Sequence, residues 1–519
     1  MHHLGVAGRP EWAWFEGSRP EGPRYELRFP AEPNAAEQTL HLRQDDVKLD
    51  WFVELNGKRL GKLHPQEVPT AFAVAVPPGL LKADGNVLAL VPPREPDDVR
   101  IGAVRLDPRP AAESVGACRL QVHVLDPGLK GGLPSRITIV DSDGFLPPLL
   151  AAPDQKLAVR PGCVYTADGH ATVLLPPGAY TVHATRGPEY GLATRKVVLE
   201  EGDAKQVRLE IRREVSTPAW AACDTHLHTL QFSGHGDATA DERALTLAGE
   251  GIELAVATEH NQHSAYQEAA LRMGVRDHVT PVLGNEVTTA VGHFNVFPVA
   301  GDPVADWKLN DWAMIGGSIR RTPGVRVVIL NHPRGKHSNF VPFAPEQFHP
   351  ATGEHVRGPA FPFNAMELVN SGAQQSDFML LYRDWFALLN RGHRITGVGS
   401  SDSHDVNRFI PGQARTYIQV NDADPGRIDV DAACEALLKG KALVSMGLFT
   451  QIKVNGVHGA GDLVGGRERE IHVAVSVAGP SWAQVDRVEL YANGSRIREA
   501  AVPHATQGGE KFKRTWSKP

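Results

Sequence analysis

A chain of 519 residues holds about three or four domains of ordinary size, each able to bury its own core. A net charge of −6 at pH 7 excludes broad, nonspecific adhesion to nucleic acid or anionic membrane, so no nucleic-acid partner is expected. Hydrophobic residues at 42% and charged residues at 22% match ordinary globular proteins, and no apolar run approaches the length of a membrane span.

The opening Met1-His-His-Leu-Gly-Val lacks the basic, apolar and small-residue succession of a secretory signal. Cytoplasm is therefore the default compartment, with extracytoplasmic residence as the alternative. Short alternating segments then run from Arg24 to about Leu106, broken by Asn56-Gly57, Pro77-Pro-Gly79 and Asp84-Gly85, and predict an antiparallel β-sandwich over residues 1–110. Trp51-Phe-Val-Glu-Leu-Asn-Gly-Lys58 and Gly85-Asn-Val-Leu-Ala-Leu90 resemble a galactose-binding-type jelly roll. After the linker Asp107-Pro-Arg-Pro-Ala-Ala112, alternation resumes and predicts a second sandwich over 118–213. Its Leu175-Pro-Pro-Gly-Ala-Tyr-Thr-Val182 resembles the carboxypeptidase-regulatory or transthyretin-like module.

Over 219–450 strands alternate with helices, which predicts parallel βα units with helices covering the sheet. Thr239-Ala-Asp-Glu242 is a capping box opening a helix toward Gly251, and strands are expected at 253–257, 282–287, 293–298, 326–331, 365–370 and 395–399. A β segment closes the chain over 451–519, with a turn at Asn493-Gly494. The basic run Lys511-Phe-Lys-Arg514 reads as a solvated strand edge.

Cys118, Cys163, Cys223 and Cys434 show no C-x-x-C spacing and read as buried small apolar side chains. Histidine is the outlier: 13 of the 23 fall between Pro218 and Pro411, a little over a third of the chain. His226-Leu-His228 ends an apolar strand, and the two-residue period of a strand turns both imidazoles to one side. Thr258-Glu-His260, Gly284-Asn-Glu286, Gly292-His293, Asn331-His332-Pro and Asp402-Ser-His404 each place an imidazole or carboxylate near a strand end. In an α/β barrel such ends converge on one mouth. Many titratable groups gathered there without a counter-charge cost several kcal/mol each, and metal ions remove that cost.

These motifs, in this order, resemble those of the PHP (polymerase and histidinol phosphatase) superfamily over most of Trp220 to Ile418. Ser-Gly-His-Gly-Asp237-Ala-Thr, Gly412-Gln-Ala-Arg-Thr-Tyr417 and the preceding β modules are most similar to the carbaryl-hydrolase-type (CehA/McbA) branch. The resemblance implies a distorted (β/α)7 barrel preceded by two β-sandwich modules and followed by a small β tail. It implies two or three divalent ions (zinc, manganese or iron) held by His226, His228, Asp237, His260, Glu286, His293, His332, Asp402 and His404. Glu286 would bridge an ion held by His226, His228 and Asp402 and another held by Asp237, His260 and His404, with His293 and His332 on the third. This chain departs from the pattern in reading Thr-Glu259-His260-Asn and in carrying its aspartate late after H-x-H, which leaves His235 and Asp241 as alternatives to Asp237.

Mixed imidazole and carboxylate ligands suit zinc, iron or manganese, and such ions lower the pKa of a coordinated water to about 7. Three ligand carboxylates against two or three divalent ions and a hydroxide leave the site at about neutral to +2. Arg334, Lys336 and Arg415 are the candidates to hold an anionic group there, with an ordinary salt bridge as the alternative for each. His263, His278, His337, His349, His355 and His393 read as structural, although His337 follows a proposed ligand motif and the aromatic stretch 340–363 could cover the pocket.

The expected function is a multinuclear metal-dependent phosphoesterase acting on a small anionic substrate. The alternatives are a carboxylic ester or carbamate hydrolase of carbaryl-hydrolase type, and a non-catalytic protein whose N-terminal β modules bind a glycan or surface polymer. No G-x-S-x-G elbow is present for a serine hydrolase.

Overall fold

The computed structural model describes residues 1–9, 18–93, 97–153, 155–335, 340–358, 360–372, 377, 379–465 and 470–518. Strands dominate and helices are few. Among the described residues no helix is long and apolar enough to cross a membrane.

Alternation of apolar and polar residues builds the N-terminal part as expected. One antiparallel sheet runs His2–Leu4, Val99–Asp107, Gln38–Asp45, Thr70–Val76, and a second runs Tyr25–Phe29, Asn86–Val91, Phe52–Leu55, Lys58–Lys62. Their inner faces meet through Leu40, Trp51, Val53, Leu88, Leu90 and Ile101. Burying the Trp51 ring leaves its indole N–H to be satisfied, and it donates to Asp97 at 3.0 Å.

A second pair of sheets follows. Leu157–Arg160, Cys163–Thr166, Ser135–Asp141, Gly178–Thr185 and Ala193–Leu199 face Leu150–Ala151, His170–Leu175, Cys118–Leu125 and Ala204–Glu210 across a core of Leu120, Val122, Ile137, Val164, Val173 and Val182. The Pro176-Pro-Gly178 turn is tied down by Tyr180, whose hydroxyl donates to the Pro176 carbonyl at 2.8 Å.

The α/β region departs from expectation in strand direction. Its strands form two five-stranded sheets of mixed direction, joined at their edges by bridges between Leu227 and Ser403 and between His260 and Glu286. In the first, Thr280–Leu283, Leu254–Ala257 and Trp220–Leu227 run parallel, Arg415–Gln419 returns antiparallel beside Trp220–Leu227, and Ala442–Ser445 reverses again beside it. In the second, Asn285–Thr289 and Gly292–Phe297 form a hairpin before Val327–Leu330, Ala365–Asn370 and Thr396–Ser400 resume the parallel order. The strand expected at 282–287 breaks at Gly284, where a Cβ would lie 2.8 Å from the Ala257 carbonyl oxygen, and the chain crosses there from one sheet to the other.

Both sheets are sealed against each other by Ala221, Cys223, Leu254, Val256, Phe297, Val327, Ile329, Ala365 and Val398, with Cys434 and Leu437 of the Val430–Leu438 helix in the same cluster. Every residue of Trp220–Leu227, Leu254–Ala257, Gly292–Phe297, Ala365–Asn370 and Thr396–Ser400 is buried, the near-continuous apolar signature of strands covered on both faces. The helix Ala240–Gly249 begins at the expected box: Thr239 accepts from the Glu242 N–H, and the Glu242 carboxylate accepts from the Thr239 N–H. Its apolar face packs on Ala158, Cys163 and Tyr165 of the second β module. All four cysteines are buried and reduced. The final strands include the hairpin Arg487–Ala492 and Ser495–Ala501, turning at Asn493-Gly494, and the 511–514 run lies in the edge strand Gly509–Lys518.

Because Ile329 is enclosed between the two sheets, Ile329→Ala should cost about 2–5 kcal/mol, whereas Thr239→Ala, removing one cap bond, should cost about 1 kcal/mol. Denaturant unfolding of the two variants checks this ordering; a cap loss as large as the core loss would contradict it.

Candidate metal centre

The carboxyl end of Trp220–Leu227 delivers His226 and, just past it, His228, both with no exposed surface. Glu286, on the Asn285–Thr289 strand of the second sheet, faces them. Its Oε1 lies 3.4 Å from His226 Nε2, 3.1 Å from His293 Nδ1 and 3.6 Å from His332 Nε2. Its Oε2 lies 2.5 Å from His260 Nδ1 and 3.8 Å from His228 Nε2. Asp402 Oδ1 approaches His226 Nε2 at 3.3 Å, His228 Nε2 at 3.4 Å and His404 Nδ1 at 3.7 Å.

Three sets of donor atoms lie close enough together to hold an ion: His228, His260 and His404; His226, Glu286 and His332; and His226, His228 and Asp402. His293 joins them through Glu286 and by a ring contact with His332 at 5.0 Å. Eight of the nine expected ligands thus meet at one place. His332 and Asp402 adopt φ of 29° and 55°, a left-handed conformation uncommon for such residues and typical of side chains held in place for function.

Outer hydrogen bonds fix which ring nitrogen carries the proton. His226 Nδ1 donates to Glu367 at 2.7 Å. His228 Nδ1 donates to Ser233 Oγ at 2.9 Å, and that hydroxyl in turn donates to Glu259 at 2.6 Å. His404 Nδ1 donates to the Asp402 carbonyl at 3.0 Å. In each ring the Nε2 lone pair is left bare and turned inward, and none of these three buried nitrogens has a hydrogen-bond partner among the described residues. Buried acceptors without donors are costly, and this donor set is the one borderline divalent cations favour.

Electrostatics point the same way. Burial holds the His228 imidazole well below its usual pKa and pushes His404 down to about 4, so both rings are neutral donors. Burial also disfavours a proton on His226, but Asp402, Glu367 and Glu286 together outweigh it and raise that pKa. Burial would push Glu286 and Asp402 up, yet the surrounding imidazoles hold both carboxyls well below the usual range. The cage therefore demands positive charge at its centre.

Three buried carboxylates that sequence reasoning did not assign support this arrangement. Glu367 holds His226, accepts from Ser400 Oγ and from Asn370 Nδ2 at 2.8 Å, and takes the His332 backbone N–H. Its signal was available: a lone acid inside the otherwise apolar Ala365-Met-Glu-Leu-Val strand. Glu259, the departure from the family pattern, accepts from Thr229, Ser233 and Tyr266 and so anchors the His228 relay. Asp224 accepts from the backbone N–H groups of His226, Ser401 and Gly412, and burial raises its pKa.

Asp237 requires a correction. Its carboxylate is gripped by Arg160 from the second β module, at 2.8 and 3.1 Å, and stands outside all three donor sets. Of its two alternatives, Asp241 pairs with Arg272 at 2.7 Å, whereas His235 stacks on His404 and His260 with ring centroids 4.3 and 5.1 Å apart.

The anion-binding candidates are corrected too. Arg334 makes a two-pronged pair with Asp384 at 2.7 and 2.9 Å. Arg415 is buried and donates to the Gly412 and Glu250 carbonyls, on the wall of a separate cavity of about 130 Å³ that also contains Arg186, Tyr190, Glu253 and His278. Lys336 and His337 lie outside the described residues. His355 stacks on Trp312 at 4.3 Å within the aromatic core, as a structural histidine should.

No protein-family description matches the chain, and no curated protein matches it. Among solved structures the chain is similar to a two-domain protein from Bacteroides vulgatus described as containing a predicted PHP-like metal-dependent phosphoesterase, at 15% identity, over 59% of this chain and 99% of that one, with a TM-score of 0.33. It is also similar to a glycosyl hydrolase family 2 member from Bacteroides cellulosilyticus, at 12% identity over 95% and 76% of the two chains and a TM-score of 0.17. A β-glucuronidase from Faecalibacterium prausnitzii shares 14% identity over 50% and 49% with a TM-score of 0.15. At these TM-scores none of the three likenesses bears on the chemistry; the side chains do.

Replacing Glu367 with Gln should weaken divalent-ion binding ten- to a hundredfold, because the bond that sets the His226 tautomer loses its charge. Competition with a chelator measures it, and unchanged affinity would deny Glu367 this role.

Proposed function

We propose that the chain is a metal-dependent hydrolase with a multinuclear centre, acting on a phosphoester. One observation carries the reading: His226 and His228 each belong to two of the three donor sets, so ions held there would be neighbours sharing ligands. His226, His228, His260, Glu286, His293, His332, Asp402 and His404 would hold two or three ions, of zinc, manganese or iron. Such ions supply Lewis acidity and a nucleophile competent at neutral pH.

The chain's own residues do the rest. Glu286, with one oxygen toward His226 and the other toward His260, is placed to span adjacent ions. Glu367, Ser233 and the Asp402 carbonyl hold the ring protons on the outer nitrogens, so His226, His228 and His404 keep their aim. The walls of the two sheets exclude water below the cage. With Asp237 withdrawn, Glu286 and Asp402 would be the remaining ligand carboxylates, and two or three divalent ions with a hydroxide would leave the cage at about +1 to +3, which favours an anionic substrate. On this reading the α/β region would be a distorted (β/α)7 barrel of the PHP type, in its carbaryl-hydrolase-like branch, with two β-sandwich modules ahead of it and a β segment behind.

A second reading, hydrolysis of a carboxylic ester or carbamate, is favoured by the commitment of Arg334 to Asp384 and of Arg415 to backbone carbonyls, since neither is then available to grip a phosphate. The non-catalytic reading, in which the N-terminal modules bind a glycan, gains no support from a cage of this kind.

Elemental analysis of protein purified without chelator should find at least two ions per chain, and His226→Ala should lose at least one together with activity. Fewer than two in the unaltered chain would contradict a multinuclear site. Aryl phosphates and aryl esters assayed side by side should show turnover of the phosphate; turnover of the ester alone would replace the phosphoesterase by its rival.

A further inference from the structure

The stretch that carries His404 has no regular secondary structure, yet it is gripped from outside the α/β region. Arg160 ends the Leu157–Arg160 strand of the second β module. Its Nε donates to Asp237 Oδ2 at 2.8 Å, its Nη2 to Asp237 Oδ1 at 3.1 Å and to the Asp237 carbonyl at 2.7 Å, and its Nη1 to Glu242 at 2.8 Å. Asp237 passes the grip on. Its Oδ1 accepts from the Val406 N–H at 2.9 Å, while its own N–H and that of Ala238 donate to the His404 carbonyl at 3.2 and 3.1 Å. Gly236 lets the two backbones touch: at its φ of 81°, a Cβ would fall 2.5 Å from the His404 carbonyl oxygen. The first module grips the same stretch, with Glu67 paired to Arg408 and Gln66 donating to the Asn407 carbonyl at 3.2 Å.

We propose that Arg160 is a positioning residue of the metal centre, acting through Asp237 to fix the 404–406 backbone and with it the aim of His404 Nε2. The inference rests on the metal-centre reading above. The planar guanidinium is matched to this task, because it spans the carboxylate with two donors and still reaches the carbonyl and Glu242, which an ammonium cannot do. His404 needs such help: its ring is steered by a bond to the Asp402 carbonyl, two residues away on the same irregular stretch, with no buried carboxylate behind it of the kind that holds His226. The second β module is then a wall of the site rather than an appendage.

The test titrates the metal-free full chain with cobalt(II) alone and follows its visible absorption. Arg160→Gln should weaken the last-filled step ten- to a hundredfold and alter the absorption of that step, with the number of ions at saturation unchanged. Asp237→Asn should do the same, and the double variant should be no weaker than the worse single one, because both act in one clamp. Glu242→Gln, which can still cap its helix and leaves the Arg160–Asp237 bonds in place, should weaken that step less than Arg160→Gln does.

Wild-type filling in Arg160→Gln would overturn the proposal. So would loss of a whole ion in Asp237→Asn alone, which would make Asp237 a ligand. Should Arg160→Gln fail to fold, Arg160→Lys keeps the charge without the fork; an unchanged last step in that variant is equally fatal, and an intermediate weakening supports the clamp. Absence of any cobalt binding by the unaltered chain would instead sink the metal-centre reading itself.

Discussion

A carboxylate buried among five imidazoles is the constraint on which the α/β region depends. Glu286 is all but inaccessible to solvent, and ring nitrogens of His226, His228, His260, His293 and His332 all lie within 3.8 Å of its oxygens. An ionised carboxylate in such a place costs several kcal/mol unless opposite charge and hydrogen bonds compensate it. Asn331 and the Thr288 hydroxyl contribute bonds at 2.9 and 3.2 Å, and the remainder comes from positive charge within the cage. Protons on the imidazoles are one source and a divalent cation the other. The relays that put protons on the outer nitrogens of His226, His228 and His404 leave the inner positions to the cation.

This polar interior survives because the rings of His226, His228 and His404 are each held on their outer side. Glu367 alone holds the His226 ring, the His332 backbone N–H, a serine and an asparagine. Half-satisfied networks of this kind would be worse than an apolar core, and fully connected ones fix a single geometry. The left-handed backbones at His332 and Asp402 are held by the same network, since the His332 N–H donates to Glu367 and the Asp402 N–H to the His226 carbonyl.

Packing and chemistry occupy opposite ends of the same strands. Val256, Ile329 and Val398 lock the two sheets together below, while the strand ends above carry the donors. The helix Ala240–Gly249 extends this division outward, with its apolar face on the second β module and its first turn beside the Asp237 clamp. A sandwich that packs this closely constrains the rim as well as the core.

Local rules made much of this legible without coordinates. Period two in a strand is enough to pair His226 with His228, and the capping box at Thr239 and Glu242 needs only four residues in a row. The alternation of the two sandwiches and the buried cysteines were equally visible, because each follows from short-range periodicity or side-chain size, and the gathering of eight donors was legible in the order of the strand-end motifs. Strand direction was not: the Asn285–Thr289 and Gly292–Phe297 hairpin and the returning Arg415–Gln419 strand interrupt the expected parallel order, and periodicity is blind to direction. Nor could sequence alone decide which charged groups find each other. Asp237 is captured by an arginine 77 residues earlier and Arg334 by an aspartate 50 residues later. Composition and spacing determine which residues can bind an ion, but whether a charge is spent on a neighbour first depends on distances that only the folded chain sets.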